Sequence, residues 1–448
     1  MRVLLISTYE LGRQPFGLAS PAACLRAAGH RVDCLDCSLD PLTPEMIRNA
    51  GLIAFYLPMH TATRMAVPLL EASRAANPEA HLCCYGLYST MNAGYLRSLG
   101  VQTLLGGEFE DGLVELAGRL DRTAPQTPAG DLVSLGRMRF HTPDRSGLPP
   151  LARYAALVKG GVNITTGYTE ASRGCKHMCR HCPVVPIYQG SFRVVPVDVV
   201  LADIAQQVDA GARHITFGDP DFFNGPTHAV RLLQAFHAAH PRVTCDVTIK
   251  IEHLLQHHEL LPVLVENGCL LVTTAVESVD DHVLALLDKG HTRQDFYDAV
   301  TLCRNAGITL TPTFIPFTPW TSLEGYRDLL RVIAGLDLVD HVAPVQLALR
   351  LLITAGSRLL ELPEIASLVQ PFQPATLLYR WAHPDPSMDE LANQMLQLVD
   401  REQKRGSTRR DCFARIWELA HNGATPGWRR PVLPARATIP YLNEPWYC

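Results

Sequence analysis

Cys175-Lys-His-Met-Cys179-Arg-His-Cys182 is the stretch on which the reading of this sequence turns. Its CxxxCxxC spacing puts three thiols on one short loop, and thiolates favour soft metals and iron–sulfur clusters. The loop follows Val162–Tyr168, a run rich in β-branched residues that predicts a strand. Similar runs recur at His214–Phe217, Val243–Lys250, Leu270–Val276, Ile308–Ile315 and His341–Arg350. Helical segments lie between them, over Pro196–Ala210, Ala229–His240, His253–Asn267, Gln294–Ala306 and Leu323–Leu336. Strands alternating with helices imply parallel crossovers, and this series predicts a partial (β/α)6 barrel of TIM type. Barrel ligands gather where the loops at the C-terminal strand ends converge with helix N-termini. The cysteine loop lies at that end of the first barrel strand. Three thiolates hold three irons of a 4Fe-4S cube and leave the fourth iron without a protein ligand, which makes a reaction site. The rival reading adds His177 or His181 to make a Cys₃His zinc set, and with it a non-catalytic zinc or iron–sulfur scaffold or redox sensor.

Upstream, residues 1–120 alternate short apolar runs (Arg2–Ser7, Arg31–Leu35, Leu52–Leu57, His81–Tyr85) with helical stretches over Pro21–Ala28 and Ala66–Ala76. That rhythm predicts a Rossmann-like, doubly wound α/β domain. Around Asp121–Pro150 Pro, Thr, Gly and Arg accumulate without a period, so residues 121–160 read as a linker to the barrel core at 161–350. Residues 351–448 form a mainly helical extension, with helices over Met388–Glu402 and Asp411–Leu419 and a tail rich in Pro and Arg.

At 448 residues the chain has room for two to four domains, and 47% hydrophobic against 19% charged residues supplies ample core. Forty basic and 44 acidic residues leave a net charge of −4, no electrostatic reason to expect nucleic acid or an anionic membrane as a partner. No apolar run approaches the ~18–20 residues of a membrane span. Met1–Ser7 reads as a strand rather than a signal peptide, so a cytoplasmic location is expected. Thirteen cysteines in such a chain are reduced thiols or metal ligands. Cys24, Cys245, Cys269 and Cys303 sit in apolar surroundings as small core residues, and Cys34-Leu-Asp-Cys37 lacks a partner pair.

The cysteine motif, its place after the first barrel strand and the strand series resemble the radical S-adenosylmethionine (SAM) superfamily over about residues 160–350. The resemblance implies a cluster on Cys175, Cys179 and Cys182 whose open iron is chelated by the amino and carboxylate groups of SAM. It further implies reduction by a one-electron donor such as flavodoxin or ferredoxin, cleavage of the sulfonium, and a 5′-deoxyadenosyl radical that takes hydrogen from a small-molecule or peptide substrate. Methyl or alkyl transfer and C–S or C–C bond formation are compatible reactions. Neither the substrate nor an individual catalytic residue follows.

The same resemblance supplies SAM contacts. Phe217-Gly218-Asp219-Pro220 stands where the superfamily has a Gly-Gly-Glu-Pro-like segment, and its single Gly and its Asp leave Asp219 and Asp221 as alternatives for the SAM ammonium, with a plain turn as the structural alternative. Glu277-Ser278 resembles a Glu-Ser pair near the ribose or carboxylate, with a helix cap by Ser278 as the alternative. Arg350 suits the SAM carboxylate, with a surface ion pair as its alternative, and Lys250 and Glu252 are further candidates.

The front domain resembles the cobalamin-binding domain of a large subgroup, through Gly106-Gly107-Glu108-Phe109-Glu110. Thr8-Tyr9-Glu10-Leu11-Gly12 replaces the Asp-x-His-x-x-Gly signature, so bound cobalamin and a vestigial or substrate-recognition domain both stay open. His60-Thr61-Ala62-Thr63-Arg64 lies where a nucleotide tail docks, or is a solvated loop. The ending Tyr441-Leu-Asn-Glu-Pro-Trp-Tyr-Cys448 resembles a radical SAM family named for a Cys-Cys-Ala-Glu-Pro or Cys-selenocysteine-Ala-Glu-Pro tail. That resemblance implies a selenoprotein cut at a selenocysteine codon after Cys448, against the alternative of an ordinary stop.

Overall fold

The computed structural model describes residues 1–122, 132–425, 427 and 437–443. In the front domain β1 (Arg2–Ser7), β2 (Arg31–Asp36), β3 (Leu52–Tyr56), β4 (His81–Tyr85), β5 (Thr103–Gly107) and β6 (Leu132–Ser134) form one parallel sheet in the order 2-1-3-4-5-6. Leu4 and Ile6 of β1 enter the apolar cluster on one face, and Val3 and Leu5 the cluster on the other. Burial on both faces is why these strands read as unbroken apolar runs rather than alternating ones. The stretch read as a linker contributes β6 to this sheet.

The first helix runs from Phe16 to Ala27 and so begins before Pro21, where the sequence suggested a start. Proline has no N–H for the carbonyl four residues back, that of Gly17. The Tyr85 hydroxyl donates to that carbonyl at 2.8 Å, which satisfies the group Pro21 leaves open.

The second sheet holds β7 (Ala156–Lys159), β8 (Val162–Thr169), β11 (His214–Phe217), β12 (Thr244–Thr248), β13 (Cys269–Glu277), β14 (Thr309–Phe314) and β15 (Tyr441–Leu442), in the order 14-13-12-11-8-7-15. β8 and β11 to β14 are parallel and make the curled half-barrel, whereas β7 and β15 add antiparallel edges. β9 (Ser172–Gly174) and β10 (Phe192–Val194) pair separately as a ribbon, and the cysteine loop connects them.

The expected sixth strand at His341–Arg350 is reduced to a 3₁₀ turn, Pro344–Leu347, and one parallel bridge between Phe317 and Arg350. Pro344 cannot donate to a ladder. The Gln346 side chain instead accepts the Phe314 N–H at 3.1 Å, in place of a sixth strand's carbonyl. The open flank is covered by helices Pro386–Lys404 and Arg409–Ala420, whose Met395, Val399, Phe413 and Ile416 join the barrel's own apolar cluster. No helix among the described residues is long and apolar enough to cross a membrane.

Candidate active site

The cysteine loop starts at Gly174, whose φ of +74° and lack of a side chain are both required, because a Cβ would lie 2.4 Å from the Tyr188 ring. Cys175, Cys179 and Cys182 follow as free thiols. Burial raises the Cys175 thiol and pushes Cys182 up to about 12. Neighbouring thiols add to both shifts, and the Lys289 ammonium opposes the second. Three free thiols on one short loop, with no disulfide partner, are the soft donor set a metal cluster takes, so these residues fit the group the motif implies. Backbone clamps fix the loop. Ser357 Oγ donates to the Arg180 carbonyl at 3.0 Å, Arg358 Nη1 to that of Met178 at 2.6 Å, and the Arg180 N–H to that of Leu287 at 2.9 Å.

The candidate SAM residues divide. Glu277 ends β13 with φ +68° and is buried beside the cysteine loop, its carboxylate 3.2 Å from His181 Nε2 and 3.4 Å from Lys289 Nζ. Burial opposes its ionisation, but Lys289 and His181 outweigh burial and hold it at about 2. Gly218 lies at the end of β11, where a Cβ would stand 1.9 Å from the Tyr168 hydroxyl.

Three of the candidates are engaged by protein groups. Asp219 is buried and turned into the chain after β8, where it accepts from Ala171 N at 3.0 Å and Ser172 Oγ at 2.5 Å. Burial lifts it to about 6 against those bonds, so in this structure it holds a turn. Ser278 lines a hollow beside Glu277 and does not cap a helix. Its Oγ accepts from Asp280 N at 3.1 Å, and Asp280 caps the helix Asp281–Leu286. Arg350 pairs with Asp389 at 2.5 Å, donates to the Trp381 carbonyl at 2.7 Å and lies 3.6 Å above the Trp381 ring, which ties it to the C-terminal extension.

Sequence reasoning missed Lys289 and His291, in the loop after the helix that follows β13. Both are buried near Glu277 and Lys250. Burial, then Lys289 and Lys250, lowers His291 to about 4. Asp288-Lys-Gly-His291, clustered charge in the loop after that helix, was the signal in the sequence.

The front domain meets this site through Arg173, in β9. Its guanidinium reaches Glu108 at 3.0 Å, Glu110 at 2.7 Å and Glu170 at 2.9 Å, with all four side chains at most 15% exposed. Glu108 and Glu110 follow β5, so Gly106-Gly107-Glu108-Phe109-Glu110 is the interface segment. Gly107 is needed because a Cβ there would lie 2.2 Å from the Ser134 carbonyl. Two hollows are open to ligands. A crevice of about 730 Å³ opens where the strand order reverses beside β1, lined by Tyr9, Gly12, Ser38, Thr61, Met65 and Arg153. A cavity of about 150 Å³ lies inside the half-barrel between Asp246, Thr248, Thr273, Thr311 and the C-terminal helices, with Arg13 and Arg409 in its wall. His60 lines neither hollow, and its Nε2 meets the Thr376 carbonyl at 2.7 Å.

Residues 169–333 match the family model described as Radical SAM superfamily. The tRNA-2-methylthio-N(6)-dimethylallyladenosine synthase of Photobacterium profundum is 22% identical over 200 residues, 42% of each chain. That of Chloroherpeton thalassium is 27% identical over 150 residues, 32% of this chain and 33% of the relative. The chain thus spans less than half the length of these curated relatives. Among solved structures, the radical SAM methyltransferase TsrM from Kitasatospora setae, with cobalamin and a [4Fe-4S] cluster bound, superposes with a TM-score of 0.65 at 16% identity, over 89% of this chain and 88% of that one. The cobalamin-dependent radical SAM enzyme OxsB, with aqua-cobalamin and SAM bound, gives 0.66 at 12% identity over 90% and 67%. At such identities the likeness is one of fold. Residues 169–333 thus carry a radical SAM domain, and the chain shares its overall fold, front domain included, with cobalamin-dependent radical SAM enzymes.

Proposed function

We propose that this enzyme transfers a methyl or alkyl group to a small polar substrate, with the cluster on Cys175, Cys179 and Cys182 and a corrinoid in the crevice beside β1. The observation that carries the reading is Arg173. It stands two residues before Cys175 and binds Glu108 and Glu110 at the end of β5, so the ligand-bearing strand ends of both domains abut. Open α/β sheets bind ligands at the point where strand order reverses, and the crevice lies there. The fold neighbours named above carry cobalamin, which supports the same assignment.

When bound, the cluster supplies the electron that cleaves the SAM sulfonium, and a corrinoid supplies a carrier for the transferred carbon. The chain's own residues bind and orient. Ser357 and Arg358 hold the cysteine loop in register, and Glu277 fixes His181 on it. Asp246 and the hydroxyls of Thr248, Thr273 and Thr311 present polar groups to a substrate in the barrel cavity, and the C-terminal helices exclude water from it. Thr8–Gly12 offers no histidine, so Tyr9, Gly12 and Thr61 would hold a corrinoid by contacts other than an imidazole ligand.

Anaerobic protein reconstituted with iron, sulfide and hydroxocobalamin tests both parts. Stoichiometric corrinoid retained through desalting, and about four irons per chain that Cys179→Ala loses, are expected. A corrinoid lost on desalting would return the front domain to substrate recognition, and a colourless protein with one zinc would favour the scaffold reading.

A further inference from the structure

Beside Cys175, three segments distant in sequence bring three donor atoms together. His177 belongs to the cysteine loop, Asp221 to the turn after β11, and His253 to the first turn of the helix Ile251–Gln256 after β12. Their side chains are 12%, 0% and 1% exposed. Asp221 Oδ2 lies 2.6 Å from His253 Nδ1 and 3.3 Å from His177 Nε2. Nevertheless none of these three buried atoms is in a hydrogen bond. At such distances only direction can fail, so the ring nitrogens do not aim at the oxygen beside them. The other carboxylate oxygen of Asp221 accepts from Phe223 N at 3.1 Å, which fixes the rotation of the group. Contacts this close without hydrogen-bond direction leave all three atoms poorly satisfied, and a shared partner relieves them together.

We propose that His177 Nε2, Asp221 Oδ2 and His253 Nδ1 form a mononuclear site for a divalent transition-metal ion, separate from the cluster. Two imidazoles and one carboxylate suit zinc or ferrous iron, whereas magnesium and calcium take oxygen ligands. Around an ion bound at about 2.0–2.2 Å, tetrahedral ligands stand roughly 3.3–3.6 Å apart. The His177–Asp221 spacing is already close to that, and His253 must withdraw by somewhat under an ångström. An outer carboxylate is in place as well. Glu252 lies 3.5 Å from His177 Nδ1, the nitrogen facing away from the site, and is itself held by Lys250 at 3.3 Å. Carboxylate behind imidazole behind metal is the arrangement that orients a histidine ligand and raises its basicity. Three protein ligands leave one tetrahedral position open. Cys175 Sγ lies within 4.8 Å of ligand atoms on His177 and Asp221, so the ion and the cluster would share one electrostatic neighbourhood.

The site stands on its own donors and does not rest on the cluster assignment. The test uses the full chain, anaerobic, cluster-reconstituted, stripped of loosely held metal with a weak chelator and then titrated with Co²⁺. One Co²⁺ per chain is expected, with visible d–d absorption and without the ultraviolet charge-transfer band that thiolate ligation gives. His253→Gln and Asp221→Asn should each weaken binding more than roughly tenfold while the iron content stays unchanged, and Glu252→Gln should weaken it less. Circular dichroism checks that each variant is folded, and His253→Gln decides if Asp221→Asn is not. Cys179→Ala should still take up Co²⁺. About four irons per chain retained in Cys179→Ala would sink the cluster assignment and leave this site standing. No Co²⁺ uptake, uptake with thiolate charge transfer, or wild-type affinity in His253→Gln would overturn it.

Discussion

Replacing Arg173 with Met keeps the length of the side chain and removes the one cation that three buried carboxylates share. The structure sets the expected size. Glu108, Glu110 and Glu170 lie 2.7–3.0 Å from the guanidinium, so none can turn to solvent when it goes. Glu170 is the least affected, since burial already lifts it to about 7 despite Arg173. Glu110 is the most affected, because Arg173 and Ser20 overcome its burial and keep its pKa below the usual range. Breaking a buried pair by deleting one partner costs about 3–5 kcal/mol, a large share of the roughly 5–15 kcal/mol that holds a domain folded. The loss should carry a pH signature. Orphaned carboxylates acquire raised pKa values in the folded variant, so the folded state binds protons that the unfolded state has released. Its stability therefore rises as pH falls from 8 towards 6, by about 1.4 kcal/mol per unit for each proton taken up. Urea denaturation followed by circular dichroism at pH 8 and pH 6 reads both quantities. A loss under about 1 kcal/mol with no dependence on pH would refute the claim that this cluster joins the domains.

Glu277→Gln should act oppositely with pH. Because Lys289 and His181 hold the folded carboxyl at about 2, its stabilisation is present above its ordinary pKa near 4.5 and lost as pH falls towards 2. The variant should lack that part of the acid limb, roughly 3 kcal/mol in wild-type urea titrations, and an unchanged limb would contradict it. Arg350→Ala should lower stability by about 1–2 kcal/mol, since it removes a half-exposed ion pair and a cation–π contact, yet leave SAM affinity by calorimetry unchanged. A tenfold loss of SAM affinity at unchanged stability would restore Arg350 as a SAM contact.

What the sequence disclosed and what it hid follow one physical rule. Parallel strands buried on both faces need apolar residues at every position, so β1, β3 and β4 were readable as runs. The cysteine motif was readable because its geometry is local. His341–Arg350 misled because it is as apolar as a strand, while Pro344 and the Gln346 side chain replace its ladder. Asp219 and Asp221 were indistinguishable in sequence, and only the fold sends one into a turn and the other towards two histidines. The Arg173–Glu108 pair spans 65 positions and leaves no local trace. The expectation for Trp446, Tyr447 and Cys448 falls outside the described residues, although β15 just before them pairs with β7.

The position of Arg173 gives its ion pairs a consequence beyond stability. Gly174 alone separates it from Cys175, and β9 carries it in register against β10, so the guanidinium and the first cysteine move as one rigid unit. Glu108 and Glu110 are fixed in turn to β5, Glu110 also by Ser20 Oγ at 2.6 Å. Displacing the front domain must either drag the cysteine ribbon or expose three paired charges, each alternative costing several kcal/mol. A ligand of the front crevice that resists such displacement would therefore also stabilise the cysteine loop, and by linkage a metal on that loop would strengthen binding in the crevice by the same factor.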